Sequence, residues 1–236
     1  MNPVKIKVMS DDFLVFSIPC GTFNIAFLND YEFDYAVVLS PSIEADFYIN
    51  TYSKRKDLMM DNYAAAISAA AFLTLERGLP LSEFSFETPF QKIDVFYTGN
   101  GIFNISIQKC KELYTKTTEI SGCEIDYTDI SLCGTVRVVK TKDIERFDLS
   151  ALPGFLLAGK RIPDSVILTS KYDEKLTVSI YDEYNPTPLT TLHSYAAAAF
   201  IEKVPYKEKV FFSDNMSYFT KEYSAVTVST KPTIIK

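Results

Sequence analysis

An alanine-rich apolar segment dominates the pattern of hydrophobic and polar positions along the chain. It runs from Asp61 to Gly78 and is apolar on almost every side of a helix. Asn62 is of a type that caps helix starts, and Gly78 is of the type that ends helices. A helix without a polar face must be buried on all sides, so this segment predicts a central core helix.

The residue order at the start of this helix recurs later in the chain. Met60–Tyr63 leads into the first alanine run, and Leu192–Tyr195 leads into a second one. Each reads as an apolar residue, a titratable residue, a capping residue and a tyrosine. The second helix is expected to begin at Ser194 and to end before Pro205. The recurrence indicates two lobes built on one plan, each with a buried helix.

Short runs of alternating or continuous apolar residues on either side of both helices predict β-strands. In the first half these runs are Val4–Val8, Phe13–Ile18, Tyr35–Leu39, Ala45–Asn50, Glu83–Thr88, Lys92–Tyr97 and Ile102–Ile107. In the second half they are Gly134–Val139, Ser165–Ser170, Lys175–Tyr181, Val210–Phe212, Tyr218–Phe219 and Ala225–Val228.

Polar residues cluster between Lys111 and Ser121, and we expect the boundary between the lobes there. Residues 1–112 are predicted to form the N-terminal lobe and residues 113–227 the C-terminal lobe. A last strand, at about residues 228–236, is expected to return to the first lobe. Asp148 is a suitable cap for a short helix that reaches Leu152.

Charge and cysteine usage argue against several classes of function. The formal net charge is −6 and no stretch is strongly basic, which argues against nucleic acid and membrane surfaces as partners. The four cysteines form no closely spaced pair, so neither a metal site nor a disulfide framework is expected. The chain begins without a secretion signal and has no apolar run long enough to span a bilayer, so we expect a cytoplasmic protein.

Several segments resemble the diaminopimelate epimerase family, in the same order along the chain. Asp12–Val15 resembles the family's opening Asn-Asp-Phe-Val strand, and Ala45–Phe47 resembles its Ala-Asp-Phe strand. Glu76–Leu79 and Phe86–Pro89 are similar to its Glu-Arg-Gly and Glu-Thr-Ala-Gly segments, and Asp148–Leu152 to its Asp-Leu-Glu-Ala-Leu segment. The resemblance implies an α+β fold of two pseudo-symmetric lobes, each a mixed or antiparallel sheet wrapped around a central buried helix.

The family works without a cofactor and uses two cysteines, in Cys-Gly-Asn-Gly and Cys-Gly-Thr-Gly motifs. One thiol removes the α-proton of the substrate and the other returns a proton from the opposite face. These motifs align with Met60–Tyr63 and Leu192–Tyr195, so Met60 and Leu192 stand where the cysteines are expected. A thioether and a hydrocarbon cannot exchange protons, so the alignment excludes the two-thiol mechanism.

One functional hypothesis is a relative that has lost epimerase chemistry and binds a ligand or a partner protein. Its ligand would be a small amino-acid-like molecule or a carboxylate, and the residues aligned with the two motifs would contact it: Asn62, Tyr63, Ser194 and Tyr195. The two tyrosines replace family glycines, so they could instead fill the pocket. A subunit of a homodimer, with a large apolar interface, is a further alternative.

The other hypothesis is an active isomerase that shifts a proton with Asp61 and His193. These two residues occupy equivalent positions in the two recurring segments. The related phenazine-biosynthesis isomerases resemble this fold and use carboxylate and imidazole groups instead of thiols. The positive end of each helix would keep Asp61 ionised and His193 neutral, which suits a one-way proton shift.

Overall fold

A computed structural model describes residues 2–19, 22–107, 111–120, 123–132, 134–142, 144–145, 147, 163–172, 175–181, 189–202, 204, 208–214, 216–222 and 225–235. Contacts between residues divide the chain into two units. The first contains Met1–Ser106, Thr190–Leu192 and Val228–Lys236, and the second contains Ile107–Leu189 and His193–Thr227. In its described part, the protein is an α+β protein made mostly of strands, with few helices.

A mixed sheet forms the first unit. In spatial order its strands are β16 (Thr233–Ile235), β1 (Val4–Val8), β2 (Asp11–Ser17), β3 (Tyr35–Pro41), β4 (Phe47–Ser53), β5 (Glu83–Glu87), β6 (Lys92–Gly99) and β7 (Ile102–Ile107). The β2–β3 and β4–β5 pairs are parallel, and the other neighbouring pairs are antiparallel. A 3₁₀ helix, Ile25–Asp30, lies between β2 and β3 in the chain. Each predicted apolar run of this half therefore contributes a strand.

The predicted core helix is present in the first unit as α1 (Tyr63–Ala71), and a π-helical turn at Phe72–Glu76 continues it. Every residue of α1 is buried, and the helix packs against β1, β2, β3, β4 and β6. Its alanines let these strands approach closely, because the separation of packed elements depends on side-chain size. Gly78 follows with φ +68°, a conformation that suits glycine. The helix also supplies the crossover that the parallel strands β4 and β5 require.

The strands of the second unit follow the same order of pair types. They are, in spatial order, β8 (Lys111–Ile120), β9 (Cys123–Ser131), β10 (Thr135–Lys140), β11 (Ser165–Tyr172), β12 (Lys175–Tyr181), β13 (Val210–Phe212), β14 (Tyr218–Glu222) and the first half of β15 (Ala225–Thr230), whose residues from Val228 on belong to the first unit. From β8 to β14 the β10–β11 and β12–β13 pairs are parallel and the rest are antiparallel. Counted from β16, the first unit has this same order of antiparallel and parallel pairs.

The second alanine-rich segment forms α2 (Thr191–Ile201), which joins the parallel strands β12 and β13. Residues 191–199 are all buried. The helix begins three residues before the expected start at Ser194. The reason is that the N–H groups of Thr190 and Thr191 bond to carboxylates, so Ser194 is not needed as a cap.

The polar segment near which the boundary between the lobes is expected forms a strand. This strand is β8, which pairs along its length with β9. Neither strand is predicted from the sequence, because most side chains of β8 are exposed and no apolar alternation marks it. The threonines of β8 are nevertheless typical of strands. The predicted helix from Asp148 to Leu152 lies outside the described residues.

A buried ion pair links β9 and β10 in the second unit. Arg137 donates from Nε to Asp129 Oδ1 at 2.7 Å and from Nη2 to Asp129 Oδ2 at 2.8 Å. Both residues are buried, and the guanidinium lies 4.4 Å from the centre of the Tyr127 ring. This bidentate geometry pairs the two charges away from water.

Neither α1 nor α2 is long and apolar enough to cross a membrane, nor is any other helix in the described part of the chain.

Candidate functional site

Asp61 lies between β4 and α1 and caps the start of that helix. Its side chain is only 3% exposed, and Oδ1 accepts a hydrogen bond of 3.3 Å from the N–H of Tyr63. Asn62, the predicted cap, occupies the N-cap position of the backbone, but its side chain makes no bond to the helix. Capping by Asp61 is expected to stabilise α1, because carboxylates are favoured at helix N-termini.

The amide of Asn62 points to the preceding backbone instead. Its Nδ2 donates to the carbonyl oxygens of Met59 and Met60, each at 3.1 Å. Asn62 Oδ1 is buried and has no hydrogen-bond partner among the described residues. A buried acceptor without a donor is costly, so Asn62 is the predicted ligand-binding residue in the first unit with spare capacity to accept a hydrogen bond.

Two consecutive threonines before and at the start of α2 bond to two different carboxylates of the first unit. Thr190 donates to Asp61 Oδ2 from its hydroxyl at 2.6 Å and from its N–H at 3.3 Å. Thr191 donates to Asp11 Oδ1 from its hydroxyl at 2.7 Å and to Asp11 Oδ2 from its N–H at 2.6 Å. The hydroxyl and the N–H of each threonine therefore both donate hydrogen bonds to the same carboxylate.

Sequence analysis misses Asp11, Thr190 and Thr191. Two adjacent threonines shortly before an alanine run are a helix-start signal and could have drawn attention to this segment. Asp11 carries no such signal, because it only precedes an apolar strand. The hydroxyl of Ser10, which lies in the turn between β1 and β2, is 2.6 Å from the hydroxyl of Thr191 and extends this cluster.

Burial raises the pKa of Asp11 to about 7. The two hydrogen bonds from Thr191 act in the opposite direction, and the nearby carboxylates of Asp34 and Asp61 raise the value further. Partial burial penalises a charged carboxylate because water solvates it less well, and here that penalty exceeds the gain from the hydrogen bonds. Asp11 therefore changes charge close to neutral pH.

His193, in the first turn of α2, is fully buried in the second unit. Its Nε2 lies 2.8 Å from the carbonyl oxygen of Leu132. A carbonyl can only accept, so Nε2 carries the proton, and in the neutral ring the lone pair is on Nδ1. A hydrogen bond of this kind sets the tautomer and orientation of an imidazole. His193 belongs to the second unit and Asp61 to the first.

The two predicted ligand-binding tyrosines are buried and hydrogen-bonded. Tyr63 begins α1, and its hydroxyl donates to Gln91 Oε1 at 3.3 Å. Tyr195 lies one turn into α2, with its hydroxyl 2.6 Å from Ser213 Oγ and its ring centre 4.4 Å from that of Phe212. Burial raises the pKa of Tyr195, so the phenol stays protonated. Gln91 lies in the same unit as Tyr63, and Ser213 and Phe212 lie in the same unit as Tyr195.

The remaining residues of the two aligned motifs differ in exposure. Met60, at the first cysteine position, is 50% exposed, whereas Leu192 and Ser194 are fully buried. No group of three or more histidine, cysteine, aspartate or glutamate side chains is placed to hold a metal ion in the described ranges.

Comparison with solved structures finds the same fold over nearly the whole chain. A phenazine biosynthesis protein of the PhzF family from Bacillus anthracis is 12% identical, with a TM-score of 0.69 and coverage of 99% of this chain and 96% of the other. A hydroxyproline epimerase from Agrobacterium vitis, with bound trans-4-hydroxy-L-proline, is 11% identical, with a TM-score of 0.64 and coverage of 99% and 88%. A methylitaconate-delta-isomerase is 9% identical, with a TM-score of 0.52 and coverage of 99% and 93%.

The chain therefore shares the fold of these three proteins. The predicted α+β class is confirmed, and the arrangement in two pseudo-symmetric lobes stays a prediction. Membership of the diaminopimelate epimerase family itself stays a prediction. No protein-family model and no curated protein matches the sequence.

Proposed function

We propose that this protein is a cofactor-independent isomerase that shifts a proton on a small carboxylic acid or amino-acid-like substrate. Asp61 and His193 are the proposed proton-transfer residues. The observation that carries the proposal is the fixed orientation of the His193 imidazole, whose Nε2–H donates a hydrogen bond to the Leu132 carbonyl oxygen. A base acts efficiently when its orientation and tautomer are fixed before the substrate binds.

The fold supports this proposal. A hydroxyproline epimerase, a protein described as a probable proline racemase and a methylitaconate-delta-isomerase have the same fold, at sequence identities of about 10%. At such identities the fold alone is shared, so the chemistry has to come from the side chains of this chain. A buried imidazole and a buried carboxylate near the starts of α2 and α1 are groups able to accept and return a proton.

The experiment is solvent deuterium incorporation, followed by NMR and mass spectrometry. The panel contains L-proline, trans-4-hydroxy-L-proline, methylitaconate and the common L-amino acids. We expect the wild type to exchange one carbon-bound proton of at least one panel compound. His193→Gln and Asp61→Asn should each lower the rate by about a hundredfold or more, the usual contribution of a general acid or base.

A matched control removes an exposed carboxylate of the same unit. Asp94 lies on β6 and is exposed, so Asp94→Asn should exchange at the wild-type rate. Circular dichroism verifies that each variant is folded. If the folded wild type exchanges none of the panel compounds, or if His193→Gln exchanges as fast as wild type, the isomerase proposal is wrong.

A ligand-binding protein without proton transfer is the second candidate. The observation in its favour is that both oxygens of Asp61 accept hydrogen bonds from the first unit, which is how a structural cap is used. On this hypothesis the buried acceptor Asn62 Oδ1 would receive a hydrogen bond from the ligand. Binding of a panel compound without deuterium exchange, lost in Asn62→Ala, would favour this candidate.

A further inference from the structure

A cleft of about 1040 Å³ lies in the second unit, between the β8–β9 strand pair and the C-terminal end of α2. Threonines of β8 and β9 line one wall, and Phe200, Ile201 and Val204 contribute apolar surface to the other. The volume is at the upper end of the range of small-molecule sites. None of the described residues that line the cleft belongs to the two aligned motifs.

The threonine wall is a core face of the sheet that turns polar at its last two strands. Thr115 of β8 is directly opposite Thr128 of β9, and Thr117 is directly opposite Asp126. Thr128 is in turn opposite Val138 of β10, which is fully buried. Residues directly opposite each other share a face, so this face is apolar core at β10 and carries hydroxyl groups at β8. Polar residues in place of apolar ones on such a face are typical of a functional site.

Hydrogen bonds within this wall use the hydroxyl protons of the threonines. Thr115 donates to Glu112 Oε1 and Thr117 donates to Asp126 Oδ1, each at 2.6 Å. Thr115 Oγ1 also lies 3.1 Å from Thr128 Oγ1, and Thr128 is the donor because the Thr115 proton is already used. A hydroxyl has one proton and two lone pairs, so each threonine oxygen keeps a lone pair. The wall therefore presents hydrogen-bond acceptors to the cleft.

The opposite wall combines ammonium donors with apolar surface. Lys140 Nζ pairs with Glu202 at 3.0 Å and carries two further N–H donors. Lys221 Nζ donates to the carbonyl oxygens of Phe200 and Glu202, at 2.5 and 3.2 Å, and so satisfies the C-terminal end of α2. It also lies 5.3 Å from the centre of the Phe200 ring. These contacts fix the apolar surface at the end of α2 before any ligand binds.

The charges along the cleft nearly cancel. The carboxylates of Glu112, Asp126 and Glu202 line it together with the ammonium groups of Lys140 and Lys221. A ligand with a high charge of either sign would meet like charges, which disfavours its binding. A neutral ligand with many hydroxyl groups avoids this cost. Its hydroxyls donate to the threonine oxygens and accept from lysine, while its C–H groups pack against the apolar residues.

We propose that this cleft binds a neutral polyhydroxy compound, such as a monosaccharide or a disaccharide. The site shares no residue with the proposed isomerase site and does not depend on that function. Bonds among the lining side chains hold them in place before the ligand arrives: Thr115 with Glu112 and Thr128, and Lys140 with Glu202. Such preorganisation lowers the entropic cost of binding.

The experiment is a titration of the ¹⁵N-labelled protein, followed by the backbone amide signals in NMR spectra. The sugar set contains D-glucose, D-galactose, N-acetyl-D-glucosamine, maltose and myo-inositol, and succinate and putrescine serve as charged comparisons. At least one member of the sugar set should shift the signals of Thr115, Thr117 and Thr128 in a saturable way, with a dissociation constant of about 1 mM or lower. Succinate and putrescine should leave these signals unchanged.

Thr117→Val and Thr128→Val each remove one acceptor from the cleft and keep the size and strand preference of the residue. Each should weaken binding of the sugar by about three- to tenfold, as the loss of one hydrogen bond does. Thr117→Ser restores the hydroxyl and should bind like the wild type. The matched control is Thr118→Val, because Thr118 lies opposite Ile125 on the other face of β8, and it should not change binding.

Three results would overturn the proposal. They are the absence of a saturable shift with every member of the sugar set, equal weakening in Thr118→Val and Thr117→Val, and tighter binding of succinate or putrescine at the three threonines. The dispersion of each NMR spectrum shows that the variant is folded. Because no step depends on proton transfer, the result stands whether or not the protein proves to be an isomerase.

Discussion

The hydroxyl of Thr190 lies 2.6 Å from the Oδ2 atom of Asp61, although 129 residues separate them in the sequence. Both residues are buried, and the N–H of Thr190 donates to the same oxygen. The bond therefore ties the segment before α2 to the segment before α1. A charged acceptor makes such a bond stronger than one between neutral groups.

Thr190→Val is expected to lower the free energy of unfolding by about 1–3 kcal/mol, because it leaves the buried Asp61 carboxylate with one donor fewer. Thr190→Ser keeps the hydroxyl and should lose less than half of that amount. Urea unfolding followed by circular dichroism measures both. Equal stabilities of the valine and serine variants would mean that the hydroxyl contributes nothing.

Asp11 should make stability fall as the pH rises from about 4 to about 7. The pKa of Asp11 is raised from 3.8 to about 7 in the folded protein, so between these values the folded state binds a proton that the unfolded state has lost. Stability then decreases with rising pH, by at most about 1.4 kcal/mol per pH unit from this group. Above pH 7 the carboxylate is ionised in both states and its contribution is constant.

Asp11→Asn isolates this contribution, because asparagine resembles the protonated side chain at every pH. The free energy of unfolding of Asp11→Asn minus that of the wild type should rise from pH 4 to pH 7 and then level off. Thermal or urea unfolding at half-unit steps of pH measures the difference. A difference that is flat over this range would show that Asp11 does not titrate there.

Some helices and strands of this fold can be predicted from the sequence, and others cannot. The buried helix α1 is predicted because a helix with no polar face must be buried in the core of a folded protein. The apolar strands β1 to β7 are predicted for the same kind of reason, since alternation marks a half-buried strand. β8 escapes prediction because its side chains are mostly exposed, so burial leaves no pattern in its sequence.

The candidate site is predictable only in part. Asp61 is recognisable because it stands before a predicted helix and another titratable residue, His193, occupies the equivalent position in the second recurring segment. The bond between Asp11 and Thr191 joins residues 180 positions apart. No local rule relates two such residues, because their approach depends on the fold of the whole first unit, to which both belong.

The ion pair between Arg137 and Asp129 should behave as a buried charge pair. Arg137→Met is expected to lower the free energy of unfolding by about 3–5 kcal/mol, because it leaves the Asp129 carboxylate buried without its counter-charge. The double variant Arg137→Met with Asp129→Leu removes both charges and should be more stable than Arg137→Met alone. Chemical unfolding of both variants measures the difference, and a double variant that is the less stable of the two would contradict the prediction.

Tyr63 and Tyr195 distinguish packing from ligand binding. Tyr195→Phe breaks a bond of 2.6 Å to Ser213 and should cost about 0.5–1.5 kcal/mol of stability, whereas Tyr63→Phe breaks a longer bond of 3.3 Å to Gln91 and should cost less. If both tyrosines only pack, the two variants should exchange or bind panel compounds as the wild type does. A variant with unchanged urea unfolding but a binding constant weakened tenfold would instead place that hydroxyl on the ligand, since a lost packing contact would lower stability as well.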